Sequence, residues 1–161
     1  MAIKVLVGSE FIHVVSAYAP QAGLPEDIKK LFWEDLDIVI QGVPRSEKLF
    51  IGGDFNGHIG VDAEGYDTAH GGFGFGERNN EGVSVLDFEV AYELLVVNSL
   101  FKKKEDHLVT FKSGSLKTQI DYFLMRADSR RSCKDCKVIP SEYLGTQHRL
   151  LVLDVDFKCS K

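Results

Sequence analysis

A short apolar run, Leu49-Phe50-Ile51, climbs to two glycines and stops on Asp54, with Asn56, Gly57 and His58 close behind. A brief apolar run bounded by glycine reads as a buried strand. A buried strand that ends on a carboxylate, an amide and an imidazole needs polar partners at that end, because an unpaired buried charge is costly. The stretch "KLFIGGDFNGHIG" therefore asks the rest of the chain for flanking strands and for groups that can meet Asp54.

Flanking strands are easy to find. "IKVLV" (3–7) and "FIHVVSAY" (11–18) read as two strands joined by a turn. Pro25 opens a predicted helix on which Ile28, Leu31, Phe32, Leu36, Val39 and Ile40 recur at helical spacing. Glu26 and Asp27 suit its first turn, and Gly42 and Pro44 stop it. A second helix is expected over 82–95, with Val83, Leu86, Val90 and Leu94 on one face. "LLVVNSL" reads as a strand, "LVTFKSG" and "TQIDYFLM" as the arms of a hairpin, and "CKVIP" and "RLLVLDVDF" as the last strands. Residues 57–80 read as a long glycine-rich loop, a length that is usually functional or disordered. The pattern predicts an α/β sandwich of mixed sheets and not a Rossmann chain. At 161 residues and 44% hydrophobic, the chain can build one core and not two comfortable domains.

Charge narrows the function. The net charge is −5, which counts against strong non-specific affinity for nucleic acid. It leaves room for a site that handles phosphate through a metal, since the metal brings its own positive charge. Local basic runs, Lys102-Lys103-Lys104 and the group Arg130, Arg131, Lys134 and Lys137, read first as solvated loops. No apolar run approaches a membrane span, and the N-terminus lacks a signal-peptide pattern. Three cysteines, Cys133, Cys136 and Cys159, fit a reducing compartment better than a disulfide framework. The expectation is an intracellular protein, nuclear or cytoplasmic and not secreted.

Four polar groups fall at strand ends in different parts of the chain: Tyr18, Asp54, Asp121 in "QIDYFLM", and His148 at the head of "HRLLVLDV". Each has an ordinary explanation as a packing phenol, a turn carboxylate, a paired buried charge or a structural imidazole. Together they gather where α/β folds collect functional side chains. An Asp and a His on neighbouring strand ends would pair, the carboxylate fixing the imidazole tautomer. With the amide of Asn56, such a set suits phosphate-ester hydrolysis: a base for water, donors for phosphoryl oxygens and usually Mg²⁺.

The quoted stretches, in this order, resemble the motifs of the endonuclease/exonuclease/phosphatase superfamily. "SAYAP" resembles its Tyr-x-Pro motif, "GGDFN" its Gly-Asp-x-Asn motif, "QIDYFLM" its Asp-Tyr strand, and "GTQHRLLVLDV" its closing Ser-Asp-His strand. "FGFGERNNEG" and "LVVNSLF" resemble more narrowly the endonuclease domain of RTE-type non-LTR retrotransposons and the related craniofacial development protein 2-like proteins. The resemblance implies a DNase I-like, four-layer α/β sandwich, here partial, and Mg²⁺-dependent cleavage of DNA, with Mn²⁺ as a possible substitute. It implies that Asp54 orients or deprotonates water and contacts the metal, that Asn56 helps to hold the water, and that Tyr18 bonds the scissile phosphate. It implies that His148, backed by Asp121, stabilises charge on the phosphoryl oxygens, that Asn80 is a further substrate contact, and that the 57–80 loop borders the substrate groove.

Two departures accompany it. The family's N-terminal part, with an early Asn and a metal-binding Glu, has no counterpart in residues 1–161; Glu10 sits in the wrong context to replace that Glu. The closing triplet is Thr146-Gln147-His148, so an amide stands where the family has a carboxylate. The expectation is one domain of this kind lacking its N-terminal part, with weak metal binding and impaired activity, or an inactive remnant that binds or scaffolds. A phosphatase of small molecules or lipids and a zinc module at "CKDC" are the other readings; a single Cys-x-x-C is weak evidence for zinc.

Overall fold

A computed structural model describes residues 1–145 and 147–157. Two sheets carry the chain. The first has the order β1-β2-β3-β7-β4, built from β1 (Ala2–Val7), β2 (Glu10–Tyr18), β3 (Lys48–Asp54), β4 (Leu94–Val96) and β7 (Asp121–Arg126). The second has the order β6-β5-β9-β8, built from β5 (Phe111–Ser113), β6 (Leu116–Thr118), β8 (Cys133–Leu144) and β9 (His148–Val155). Two helices, α1 (Glu26–Gln41) and α2 (Asn80–Tyr92), lie on the outer face of the first sheet.

The described residues thus form three layers: helices, sheet, sheet. Leu49, Ile51, Val96, Tyr122 and Leu124 of the first sheet pack with Leu36 and Ile40 of α1 and Val85 and Leu86 of α2. The opposite face presents Ile12, Phe50, Leu95 and Met125 to Cys136, Leu151, Leu153 and Val155 of the second sheet. Both layers are the mixed α/β sandwich that the alternating strand and helix patterns predict. A strand buried on both faces reads as continuous apolar sequence, as "LFI" does.

β2 and β3 run parallel, with α1 as the crossover between them. The pairing is close: a Cβ on Gly53 would stand 1.8 Å from the carbonyl oxygen of Ala17. No side chain fits there, so the two strands can lie together only with glycine at 53. Gly53→Ala is expected to lower stability by about 3 kcal/mol, the upper end for overpacking. Urea unfolding of the variant measures it, and a loss below about 0.5 kcal/mol would mean that β2 can shift freely.

Some boundaries differ from the sequence reading. "LLVVNSL" is a strand only to Val96 and then coils into a 3₁₀ turn over Val97–Leu100. The hairpin pairs β5 with β6, turning at Gly114 with φ +59°, whereas Asp121–Arg126 leaves for the other sheet. Alternation alone does not say which sheet a strand joins. The last strands are longer than "CKVIP" suggested, because β8 runs on past an irregularity between Ile139 and Tyr143. α2 starts two residues early on Asn79, whose Oδ1 accepts from Gly82 N–H at 2.8 Å and from His58 N–H at 2.9 Å.

The long loop is tied down in the structure. Ile59, Ala69 and His70 are buried, and Arg78 donates to the carbonyls of Ile59, Asp62 and Glu64. His70 bridges the loop: Nδ1 accepts from Gly72 N–H at 3.0 Å, and Nε2 lies 3.2 Å from Gly60 O. Burial pushes its pKa down, so it stays neutral as a loop staple.

Candidate active site

Strand register builds the site. β3 and β7 are antiparallel, and Asp54 stands directly opposite Asp121. Two carboxylates on facing positions of neighbouring strands repel unless something cationic or a proton lies between them. The group that meets them comes from the second sheet. His148 opens β9, and its Nδ1 lies 3.1 and 3.0 Å from the two oxygens of Asp121. Its Nε2 faces Asp54 Oδ2 at 3.8 Å. The side chains of Asp54, Asp121 and His148 are 11%, 19% and 33% exposed, so the cluster is open only on its outer side.

Each member is held from behind. Asp54 Oδ1 accepts from the backbone N–H of Asn56 at 2.9 Å, a turn closed by Asn56 in the left-handed region at φ 49°. The Asn56 amide is engaged through its nitrogen: Nδ2 donates to Ala19 O at 2.8 Å and clamps the end of β2. Thr110 and Asn98 steer Asp121. Thr110 Oγ1 accepts from the N–H groups of Ile120 and Asp121 at 3.0 and 3.1 Å. Asn98 Nδ2 donates to Asp121 O at 3.1 Å, while its Oδ1 accepts from Phe123 N–H at 2.9 Å. Phe111 lies edge-on to the His148 ring at 5.0 Å.

Electrostatics follow from burial. Burial is the largest influence on Asp54 and raises its pKa; the Asn56 N–H opposes, the Asp121 charge adds, and His148 opposes. Burial likewise raises Asp121, against the opposing pull of Thr110 and His148. Two carboxylates with raised pKa beside an imidazole form a cluster able to accept protons nearer neutrality than free aspartate does.

The other residues fall at varying distances from this centre. Tyr18 is the register partner of Asp54 on β2 and is 68% exposed, flanking the open side. Asn80 is exposed at the start of α2 and faces the cleft between the two helices, while its neighbour Asn79 makes the structural contacts. Gln147 donates from Nε2 to Ser113 Oγ at 2.8 Å and brings no charge to the cluster. Thr146 and Cys159 lie outside the described residues. Thr110 and Asn98 went unnoticed in the sequence; an amide inside the apolar run "LLVVNSLF" was the available signal for Asn98.

Ligand atoms of Asp54, Asp121 and His148 all lie within 4.8 Å of one another. Two carboxylates and an imidazole this close fit a divalent cation, and oxygen donors favour a hard one. Among the described residues no third ligand joins Cys133 and Cys136. Burial raises both thiols, Cys133 to about 11, which opposes thiolate ligation. The nearby basic residues are largely engaged: Lys103 and Lys137 with Asp135, and Lys134 with Asp156.

No protein-family model matches the chain. Craniofacial development protein 2 of Tragulus javanicus and of Bos taurus are each 32% identical over 143 residues, 88% of this chain. The chain spans only about a quarter of their length, 25% and 24%. Among solved structures, the endonuclease domain of TRAS1, a telomere-specific non-LTR retrotransposon, matches with a TM-score of 0.68 at 15% identity, over 96% of this chain and 60% of that one. This is the endonuclease/exonuclease/phosphatase fold. A protein of that family from Leptotrichia buccalis C-1013-b matches with a TM-score of 0.61 at 17% identity, over 97% of this chain and 52% of that one. The 3′-5′ exonuclease NExo from Neisseria meningitidis matches with a TM-score of 0.65 at 16% identity, over 97% of this chain and 65% of that one. Within the endonuclease/exonuclease/phosphatase fold, the Asp54–His148–Asp121 cluster sits on strand ends where two sheets meet. Among the described residues no helix is long and apolar enough to cross a membrane.

Proposed function

We propose that residues 1–161 belong to one divalent-metal-dependent phosphodiesterase domain that acts on DNA. The observation that carries the reading is the cluster itself: two facing carboxylates, one paired to an imidazole from the other sheet, on a nuclease-type fold. Asp54 receives the proton of the attacking water, and its raised pKa makes it a better base than free aspartate. Asp121 holds the Nδ1 side of His148, so that Nε2 is presented toward the reacting phosphate, where a proton on it stabilises a phosphoryl oxygen. Tyr18, exposed beside Asp54, offers a hydroxyl to the same phosphate. Asn56 fixes the Asp54 carboxylate with its backbone N–H and, with its amide anchored on Ala19, helps to hold the water beside it. Asn80, at the start of α2, is a further substrate contact. Asp54 and Asp121 would hold Mg²⁺, or Mn²⁺ on the same oxygens; when bound, the ion supplies Lewis-acid stabilisation of phosphate charge.

One observation favours a second reading. Gln147 stands where the resemblance expects a carboxylate, and it is hydrogen-bonded to Ser113 beside His148. An amide there weakens a cation site, and the domain would then bind DNA without cutting it. Incubating supercoiled plasmid with the chain in Mg²⁺ and in EDTA, alongside a salt titration of DNA binding, separates the two. Nicking in Mg²⁺ alone supports the enzyme. Salt-sensitive binding without nicking supports the binding module. Neither would sink both readings.

A further inference from the structure

A cleft of about 770 Å³ lies away from the carboxylate–imidazole cluster. It sits between α1 and α2, lined by Trp33, Glu34 and Asp37 on one helix and Ser84, Phe88 and Tyr92 on the other. These positions recur at three- and four-residue intervals, so one stripe of each helix faces the cleft. Three aromatic rings form its floor. Trp33 and Phe88 lie 4.9 Å apart, and Phe88 and Tyr92 lie 4.7 Å apart.

The charges around this floor do not cancel. At the upper end Lys29 bridges the helices, donating to Glu26 at 2.8 Å and to Glu81 at 3.1 Å. Those two carboxylates raise its pKa and leave it no positive charge to offer a ligand. Further down, Glu34 is 53% exposed and meets only the exposed Lys30, at 3.6 Å. Asp37 accepts a neutral hydrogen bond from Gln41. The lining therefore carries four carboxylates against two ammonium groups. Among the described residues, the lysines and arginines that sit over aromatic rings use Phe11, Tyr66, Phe101 and Tyr143. No lysine or arginine among the described residues stands over Trp33, Phe88 or Tyr92; Trp33 stacks one side on Phe55, and the partly exposed sides of the three rings line the cleft.

We propose that this cleft binds a lysine- or arginine-bearing peptide segment of a partner protein. Aromatic rings attract a cation through their quadrupole, and the excess of carboxylates over ammonium groups, with Glu34 met only by the exposed Lys30, adds Coulomb attraction. Helix grooves with aromatic anchors are a recurring mode of peptide capture. The net negative lining disfavours nucleic acid over the aromatic floor; of the residues proposed to act on DNA, Asn80 alone also lines this cleft, whereas Tyr18, Asp54, Asn56, Asp121 and His148 do not. The inference does not rest on the nuclease reading.

Trp33 is the only tryptophan in the chain, which gives the test a built-in reporter. The probe is a blocked heptapeptide of alternating alanine and lysine, with its glutamate counterpart and a short DNA duplex as comparison arms. The lysine peptide is expected to change Trp33 emission saturably, with at least a tenfold weaker response in Glu34→Gln/Asp37→Asn. The charge-reversed pair Glu34→Lys/Asp37→Lys is expected to abolish the response. Both pairs lie on a helix surface, and circular dichroism checks their folding. No change in emission at millimolar lysine peptide would overturn the proposal. So would an equal response to the glutamate peptide, a stronger response to the duplex, or a response that both folded variants retain.

Discussion

Asp54→Asn is expected to reduce Mg²⁺-dependent plasmid nicking by roughly 10²- to 10⁴-fold, the range for loss of a positioned general base. The substitution keeps the shape and the hydrogen bond from Asn56 N–H but removes the proposed base and an anionic oxygen of the candidate cation site. It should not unfold the chain. Asp54 is a carboxylate that burial pushes toward the protonated form, so the folded state holds its proton to higher pH than the unfolded state does. Its contribution to stability is then fully present below the unfolded pKa and is lost as pH rises through the folded one. At neutral pH the carboxylate costs stability, and the asparagine variant should melt at the same temperature or higher. Activity and stability thus move in opposite directions at this position, as they often do at functional sites. Full activity in the asparagine variant would place the chemistry elsewhere.

Glu89→Leu is expected to stabilise the fold by about 2 kcal/mol, the scale of an unsatisfied polar group moved out of water. Glu89 sits on α2 facing the core with no exposed surface, and among the described residues neither carboxylate oxygen has a hydrogen-bond partner. Burial alone raises its pKa well above the ordinary value. The folded chain therefore takes up a proton between the unfolded and folded pKa values, and stability falls as pH rises across that window. Leucine removes both the orphaned oxygens and the titration. Urea midpoints at pH 5 and pH 8 provide the measurement: the gain should be present at both and larger at pH 8. A loss of stability, or a gain that ignores pH, would mean that Glu89 has a partner.

Much of this architecture is readable from the chain because burial writes a simple code. "LFIGGD" shows a central strand, and a carboxylate inside "QIDYFLM" is too costly to be idle. The structure brings those two aspartates face to face and adds His148. What the sequence hides is partnership. Thr110 looks like any strand threonine until two backbone N–H groups are found on its oxygen. Asn79 and Asn80 are chemically identical neighbours, and only the helix geometry selects Asn79 as the cap. The second arm of the hairpin is hidden for a similar reason: nothing in the alternation of "TQIDYFLM" says that the chain changes sheets between Thr118 and Asp121. The glycine-rich loop reads as mobile, yet the buried Ile59 and His70 pin it.

The cluster straddles a seam. Asp54 and Asp121 ride on one sheet and His148 on the other. The helix-covered core lies wholly on the first sheet's outer side, whereas a separate apolar cluster joins the sheets. A partial opening that parts the sheets would keep the helices and dismantle the cluster at once. On warming, metal-dependent function should therefore fade before helical circular dichroism does, and the interval between the two reports how firmly the seam is closed.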